Sequence, residues 1–358
     1  MKIEKVLFED YEKISDLNKR NNLSILEKLD WENLWKKNPY FCENSDWTIG
    51  WKLVNENIIV GTCLNIPFIF EFNEKEYLGA ICNNYVIDKN YRSYALKLRH
   101  LFLNQENIDL YLTNSANTKS EKIMEAFGAK KISQFDYQNR MLLIVNKIQF
   151  FLSIFKSFFS KNKNVNQESK FLESNENIEK KGELTFSVNR VFDDEFLKFE
   201  KYLKDIKNLK TSKKLIWLKY KYDQYLKKRN ILIIKIFKNN DFKGFIIMIK
   251  GTEKKYNLKR LSVTEIVILN DIDEILSKAV KFCKNLAKKI NCDVIDIIGY
   301  EKRKRLVLTK NGFFRKKSKN FNFLVKNVNS ELDDELFFNQ NKSDLSLTDG
   351  DNIFYLNK

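Results

Sequence analysis

The order of elements predicted from periodicity occurs twice along this chain, once on each side of the polar stretch SKNKNVNQESKFLESNENIEKKG at residues 160–182. That stretch is rich in charged, Asn and Ser residues and nearly free of large apolar ones, so it reads as a linker. Before it, helical spacing runs from Tyr11 to Lys37. The strand-like runs WTIGWKLV, IIVGTCLNIPFIFEF and YLGAICNNYVI follow, broken at NEN and NEKE. A helix from Ser93 to about Asn104, the strand IDLYLT, a helix from Thr118 to Ala126 and two closing strands finish this half. After the linker, LTFSVNRV, helical stretches from Asp194 to about Tyr220, three further strands and βαβα with end strands repeat the order without repeating the sequence.

This pattern predicts an α/β chain of α+β type, with mostly antiparallel central sheets flanked by helices. It predicts a first domain over 1–146, a helix and linker over 147–182, a second domain over 183–327, and a tail over 328–358 that packs back through Phe337, Phe338 and Tyr355. At 358 residues and 43% hydrophobic content, two ordinary cores can be filled.

The formal net charge of +17 suits polyanionic ligands, but the Lys residues are spread over every segment, so a solvated basic surface is expected and DNA is not an expected partner. Cys42, Cys63, Cys82, Cys283 and Cys292 form no CxxC pair and, with His100, no zinc pattern. No metal is expected, and free thiols point to a reducing, cytoplasmic compartment. No apolar run is long enough to span a bilayer.

Residues 148–159, IQFFLSIFKSFF, set Gln149, Ser153, Lys156 and Ser157 on one stripe of an otherwise apolar helix. The expectation is a helix docked between the domains. The alternative is peripheral membrane contact, with neighbouring Lys residues facing anionic head groups.

The element order, the run YVIDKNYRSYALKL and the downstream NTKSEKIMEAFGA together resemble the GNAT acyltransferase superfamily. In that family a fourth strand leads through a small-residue turn into a helix that receives the pyrophosphate of acyl-CoA. Asn117, Ser120, Ile123 and Gly128 stand in register with the family's next helix, and Lys310, Gly312 and Phe313 repeat its end in the second half. The resemblance covers about 1–145 and 183–327, as tandem GNAT-like domains. It implies acetyl-CoA or another acyl-CoA as co-substrate, held by Val86, Ile87, Arg92, Ser93, Tyr94, Ala95, Leu96, Lys97 and Asn117. It further implies transfer to a small amine, such as an amino sugar or nucleotide sugar of surface-polysaccharide synthesis. Two alternatives stay open: a non-catalytic binding or scaffold protein, and a Fem-like transferase using aminoacyl-tRNA.

Physically, a helix start leaves amide donors free and attracts phosphate whatever the side chains are. Ala95 keeps one of the family's small positions while Lys97 does not, and Lys89, Arg92, Lys97 and Arg99 are expected around the turn. The matching start in the second half carries Asp271, Asp273 and Glu274, which satisfy the helix dipole and repel phosphate. The family's thiolate-protonating Tyr position holds Met124 here, so Tyr85 or Tyr94 is the candidate acid, with Asn84 beside the strand end. Glu265 interrupts an apolar strand and is either paired, with Arg260 as the suggested partner, or faces a cleft as a base. Trp31, Trp35 and Tyr40 are read either as core or as a platform for a flat acceptor.

Overall fold

A computed structural model describes residues 1–44, 46–132, 139–159, 178–253, 256–299, 301–317, 322–339, 342–346 and 348–356. Most of the expected linker, 160–177, lies outside these residues.

The first half supplies strands β1 (Lys2–Lys5), β2 (Gly50–Asn55), β3 (Ile58–Phe72), β4 (Lys75–Ile87), β5 (Leu110–Ala116), β6 (Lys130–Lys131) and β7 (Asn139–Ile144). Its helices are α1 (Tyr11–Arg20), α2 (Lys28–Lys36), α3 (Pro39–Glu43), α4 (Ala95–Leu103), α5 (Thr118–Ala126) and α6 (Lys147–Phe159). The second half supplies β8 (Ile178–Lys181), β9 (Leu184–Asn189), β10 (Lys210–Thr211), β11 (Ile231–Lys238), β12 (Asp241–Glu253), β13 (Leu258–Ile268), β14 (Val294–Ile298), β15 (Phe314–Lys317) and β16 (Asn322–Asn327). With these come α7 (Asp194–Glu200), α8 (Leu215–Lys227), α9 (Ile272–Lys289), α10 (Lys302–Lys310) and, in the tail, α11 (Glu335–Phe338).

The antiparallel meanders close through two-residue turns at Glu56-Asn57, Asn73-Glu74 and Asn239-Asn240, all with positive φ. Paired left-handed residues match the twist of a hairpin, and Asn tolerates that region better than most side chains. A chain with only ten glycines thus builds its hairpins largely from Asn.

The two sheets exchange a strand. The first runs β1-β2-β3-β4-β5-β16-β6, with β10 lying along the far end of β3. The second runs β15-β7-β14-β13-β12-β11-β9-β8. Thus β16, from the second half, sits between β5 and β6, and β7, from the first half, sits between β14 and β15. Segments 1–146 and 183–327 therefore each complete the other's sheet, a long-range pairing that local periodicity cannot register. The expected fold class, mixed sheets flanked by helices in a tandem arrangement, is the one adopted.

Period-two alternation divides β3 between two cores. Leu64, Ile66, Phe68 and Phe70 point into the largest core with Trp35, Trp217, Tyr220 and Phe354, whereas Cys63 faces Leu98, Phe102 and Met124 under α4 and α5. The largest core therefore joins both halves and the tail.

Helix α6 corrects the docking expectation for 148–159. Ser153 is buried, while Ile148, Phe151, Leu152 and Phe155 are 76%, 64%, 48% and 64% exposed. Among the described residues no helix is long and apolar enough to cross a membrane.

Candidate functional site

Each sheet splits open at its parallel pair. The β4–β5 ladder ends at Ile81 opposite Leu112, and the β13–β14 ladder ends at Val263 opposite Ile297. Just past each end the fourth strand bulges. In β4, Asn84 and Tyr85 together oppose Cys63, and Asn84 takes φ 49° while its carbonyl accepts from Thr62 Oγ1 at 3.0 Å. In β13 the extra residue is Thr264. Such bulges redirect backbone groups and side chains locally.

The tail crosses both openings. Thr348 Oγ1 donates to the Thr264 carbonyl at 2.8 Å, and Ser346 pairs with Gly299. Three residues on, Asn83 Nδ2 donates to Asp351 Oδ2 at 3.0 Å and to the Tyr355 hydroxyl at 3.2 Å, and Asn352 Nδ2 reaches the Asn114 carbonyl at 3.4 Å. Tyr225 and Gln224 of α8 hold the Ile353 and Phe354 carbonyls from the other side. Gly350 is required by proximity, since a Cβ there would run into the Asn114 side chain.

Burial pushes the Asp351 carboxyl up to about 7, with the Cys82 thiolate adding to the effect. Asp351 is thus a base able to cycle near neutrality. On the opposite face of β4, a hydrogen bond from Cys63 brings the Cys82 thiol down to about 6 against the opposing effect of burial, and the Arg99 cation helps. The sulfurs lie 3.9 Å apart.

Beside the tail lies a cavity of about 240 Å³ built from three distant pieces of chain. Exchanged strand β7 supplies Arg140, β13 and β14 supply Arg260, Ser262, Thr264 and Asp296, and the tail supplies Asn352 and Tyr355 among others. Arg140 and Arg260 approach the Asp296 carboxylate at 3.3 and 3.7 Å, and Ser262 Oγ donates to it at 2.7 Å. Two cations therefore face one anion, and these are the cavity's charged lining residues.

The residues singled out in sequence fall in three places. At the β4-to-α4 turn, Val86 and Ile87 are buried in the strand, Arg92, Ser93, Leu96 and Lys97 are exposed, and Tyr94 and Ala95 are half-buried. A 3-10 turn over Lys89–Tyr94 links strand to helix, and the first turn of α4 holds no acidic residue, unlike α9 with Asp273 and Glu274. Asp88 anchors the turn through Arg20 at 2.7 Å and Asn21 at 2.7 Å. Asn117 is occupied as the α5 cap, accepting from the Lys119 and Ser120 amides.

Arg99 does not ring the turn. It is wholly buried, its guanidinium stacked 3.9 Å from the Tyr85 ring and donating to Ser120 at 3.2 Å. Tyr85 gives its hydroxyl to the Ala95 carbonyl at 2.9 Å, and burial pushes its pKa up.

Elsewhere the structure takes the paired reading of Glu265 and the core reading of Trp31 and Trp35, and changes the partner of Glu265. Glu265 pairs with Lys221 at 2.5 Å and Lys213 at 2.7 Å rather than with Arg260, and Asp349 closes a buried quartet with the same lysines. Burial disfavours the Lys213 ammonium, but Asp349 and Glu265 outweigh it and hold the charge. Glu265 is therefore an ion-pair residue of the junction. Trp31 and Trp35 are buried in edge contact with each other and with Phe8, with Trp35 Nε1 donating to the Asn65 carbonyl, so they present no open platform; Tyr40 is half-buried against Trp47. Sequence reasoning missed the convergence of Asp351, Tyr355, Arg140, Arg260 and Asp296. The only local signal was the turn-forming TDGDN next to apolar anchors.

No family model matches the sequence, and no curated protein matches it. Solved structures do match in fold. A GCN5-related N-acetyltransferase from Anabaena variabilis aligns with TM-score 0.56 at 12% identity, over 92% of this chain and 73% of its own. One from Kribbella flavida aligns with TM-score 0.54 at 10% identity, over 91% and 71%. N-myristoyltransferase from Saccharomyces cerevisiae, with bound myristoyl-CoA, aligns with TM-score 0.57 at 13% identity, over 97% and 84%. The chain thus has the tandem fold of the GNAT acyltransferase superfamily.

Proposed function

We propose that this chain transfers an acyl group from acyl-CoA to the nitrogen of a small amine that also carries a carboxylate. The observation that carries the reading is the meeting of Asn83, Asp351 and Tyr355 at the β4–β5 opening, beside the Arg-lined cavity. Acyl-CoA would lie along the β4-to-α4 turn, with its phosphates near exposed Arg92 and Lys97. That an N-myristoyltransferase of the same fold binds myristoyl-CoA supports this choice of donor.

In the proposed reaction, Asp351 takes the proton of the ammonium, directly or through one water, and the freed amine attacks the thioester carbonyl. The carbon–sulfur bond breaks as the amide forms; the CoA thiolate takes a proton from the donor, and the second proton shed by the nitrogen restores that donor. Tyr355 is the proposed donor, with Tyr94 the remaining candidate at the turn; Tyr85 is committed to Ala95. The bulge at Asn84 lies just past the point where β4 and β5 part. The surplus positive charge of Arg140 and Arg260 over Asp296 would bind the acceptor's carboxylate.

A thiol-release assay over acyl-CoAs of several lengths, with amino acids, amino sugars and polyamines as acceptors, tests the reading. Turnover with a carboxylate-bearing amine supports it, and absence of turnover across the panel contradicts it. A second reading, a protein that binds acyl-CoA without turnover, is favoured by the tail's close fit against Asn114. It predicts bound CoA with no thiol release.

A further inference from the structure

Helix α6 turns much of its apolar surface outward. A surface helix normally turns its apolar stripe to the core. Here the residues at i, i+3, i+4 and i+7, namely Ile148, Phe151, Leu152 and Phe155, are 76%, 64%, 48% and 64% exposed, while Ser153 is buried and Gln149 bonds to it at 3.3 Å. Among the side chains described, the inward face is Ser153 with half-buried Phe150 and Ile154. The outward face is an exposed apolar patch of the kind that marks an interaction surface.

Charge decides which partner fits. From Lys147 to Phe159 the sequence holds Lys147 and Lys156 and no Asp or Glu. The whole chain carries +17, so another copy of it would be repelled. An apolar stripe of bulky Phe, Ile and Leu residues on a helix whose charged residues are all Lys matches an anionic bilayer surface, into which such a helix lies flat. The helix has 13 residues, too few to span a bilayer.

We infer that α6 is a membrane-interface helix that seats the protein on anionic phospholipid. The inference stands apart from acyl transfer, because it needs neither the turn nor the tail cavity.

Co-sedimentation of the full chain with vesicles of phosphatidylcholine alone, and of phosphatidylcholine with one third phosphatidylserine, tests it. Binding to the anionic vesicles is expected, weakening as salt rises. The double substitution Ile148→Ser with Phe151→Ser should weaken it by about tenfold or more, and Arg92→Glu, outside α6, should leave most of it intact. Because both serines replace exposed side chains, an unchanged melting temperature verifies folding. No binding to anionic vesicles, or binding indifferent to the double substitution, overturns the inference. So does a concentration-dependent dimer abolished by that substitution, which would make a second copy the occupant.

Discussion

Asn83 on β4 and Asp351 in the tail meet at 3.0 Å, a contact between residues 268 positions apart that puts a buried carboxyl at the mouth of the first sheet. Asp351→Asn should keep the Asn83 contact and remove the base, lowering kcat/KM by about 100-fold or more. In the native chain kcat/KM should rise with pH through about 7, as the carboxyl ionises. The stability linkage has the opposite slope. The folded carboxyl binds its proton more tightly than the unfolded one at 3.8, so stability falls as pH rises from about 4 to 7, by on the order of 4 kcal/mol, and the Asn variant loses this dependence. Denaturant titration across that window measures it.

Gly350→Val should lift the tail from β5, because its side chain collides with Asn114. An overpacking cost of about 1–3 kcal/mol is expected, with faster proteolysis of the tail and loss of turnover. Limited proteolysis with mass analysis of the fragments reads this directly.

Glu265→Gln should act on stability. Removing one carboxylate leaves Lys213 and Lys221 facing Asp349 alone, at a cost of about 3–5 kcal/mol. Activity per folded molecule should be retained. A selective loss of kcat at full stability would instead give Glu265 a role in the chemistry.

Cys82 is the counter-charge of buried Arg99 and shares a hydrogen bond with it. The Cys82 thiol is depressed from 9.0 to about 6 in the folded chain, so its contribution to stability is full above 9 and is lost as pH falls through 6. Cys82→Ala should cost about 2–4 kcal/mol at pH 8, more than Cys63→Ala. Thermal unfolding of the two variants at pH 5.5 and pH 8, conditions on the order of the two limits, should show the difference narrowing at the lower pH.

Arg140→Ala should raise KM for a carboxylate-bearing amine by about tenfold or more, with little change for the methyl ester of the same amine. Initial-rate kinetics on the acid and its ester separate binding of the carboxylate from general damage.

The meanders and the hairpin turns were legible because each depends on neighbouring residues: alternation in β3 and β4, and an Asn in each two-residue tip. The turn after β4 was legible for the same reason. The strand exchange was not, since β7 and β16 pair with strands of the opposite half. For that reason Arg140 gave no sign of a place beside Arg260. Asp351 looked like a turn residue because burial, which raises its pKa, comes from the distant strand carrying Asn83 and Cys82. Trp31 and Trp35 suggested a platform by clustering, but clustering in sequence does not distinguish a core from a surface. Helix α6 showed its apolar stripe plainly, but only the packing of Ser153 shows which side faces outward.

The most direct test of acyl-CoA use is native mass spectrometry of the purified chain titrated with acetyl-CoA and a long-chain acyl-CoA. A one-to-one complex is expected, weakened by about tenfold or more in Arg92→Glu with Ala95→Glu. No complex with either donor, or one indifferent to those two substitutions, would contradict binding at the β4-to-α4 turn.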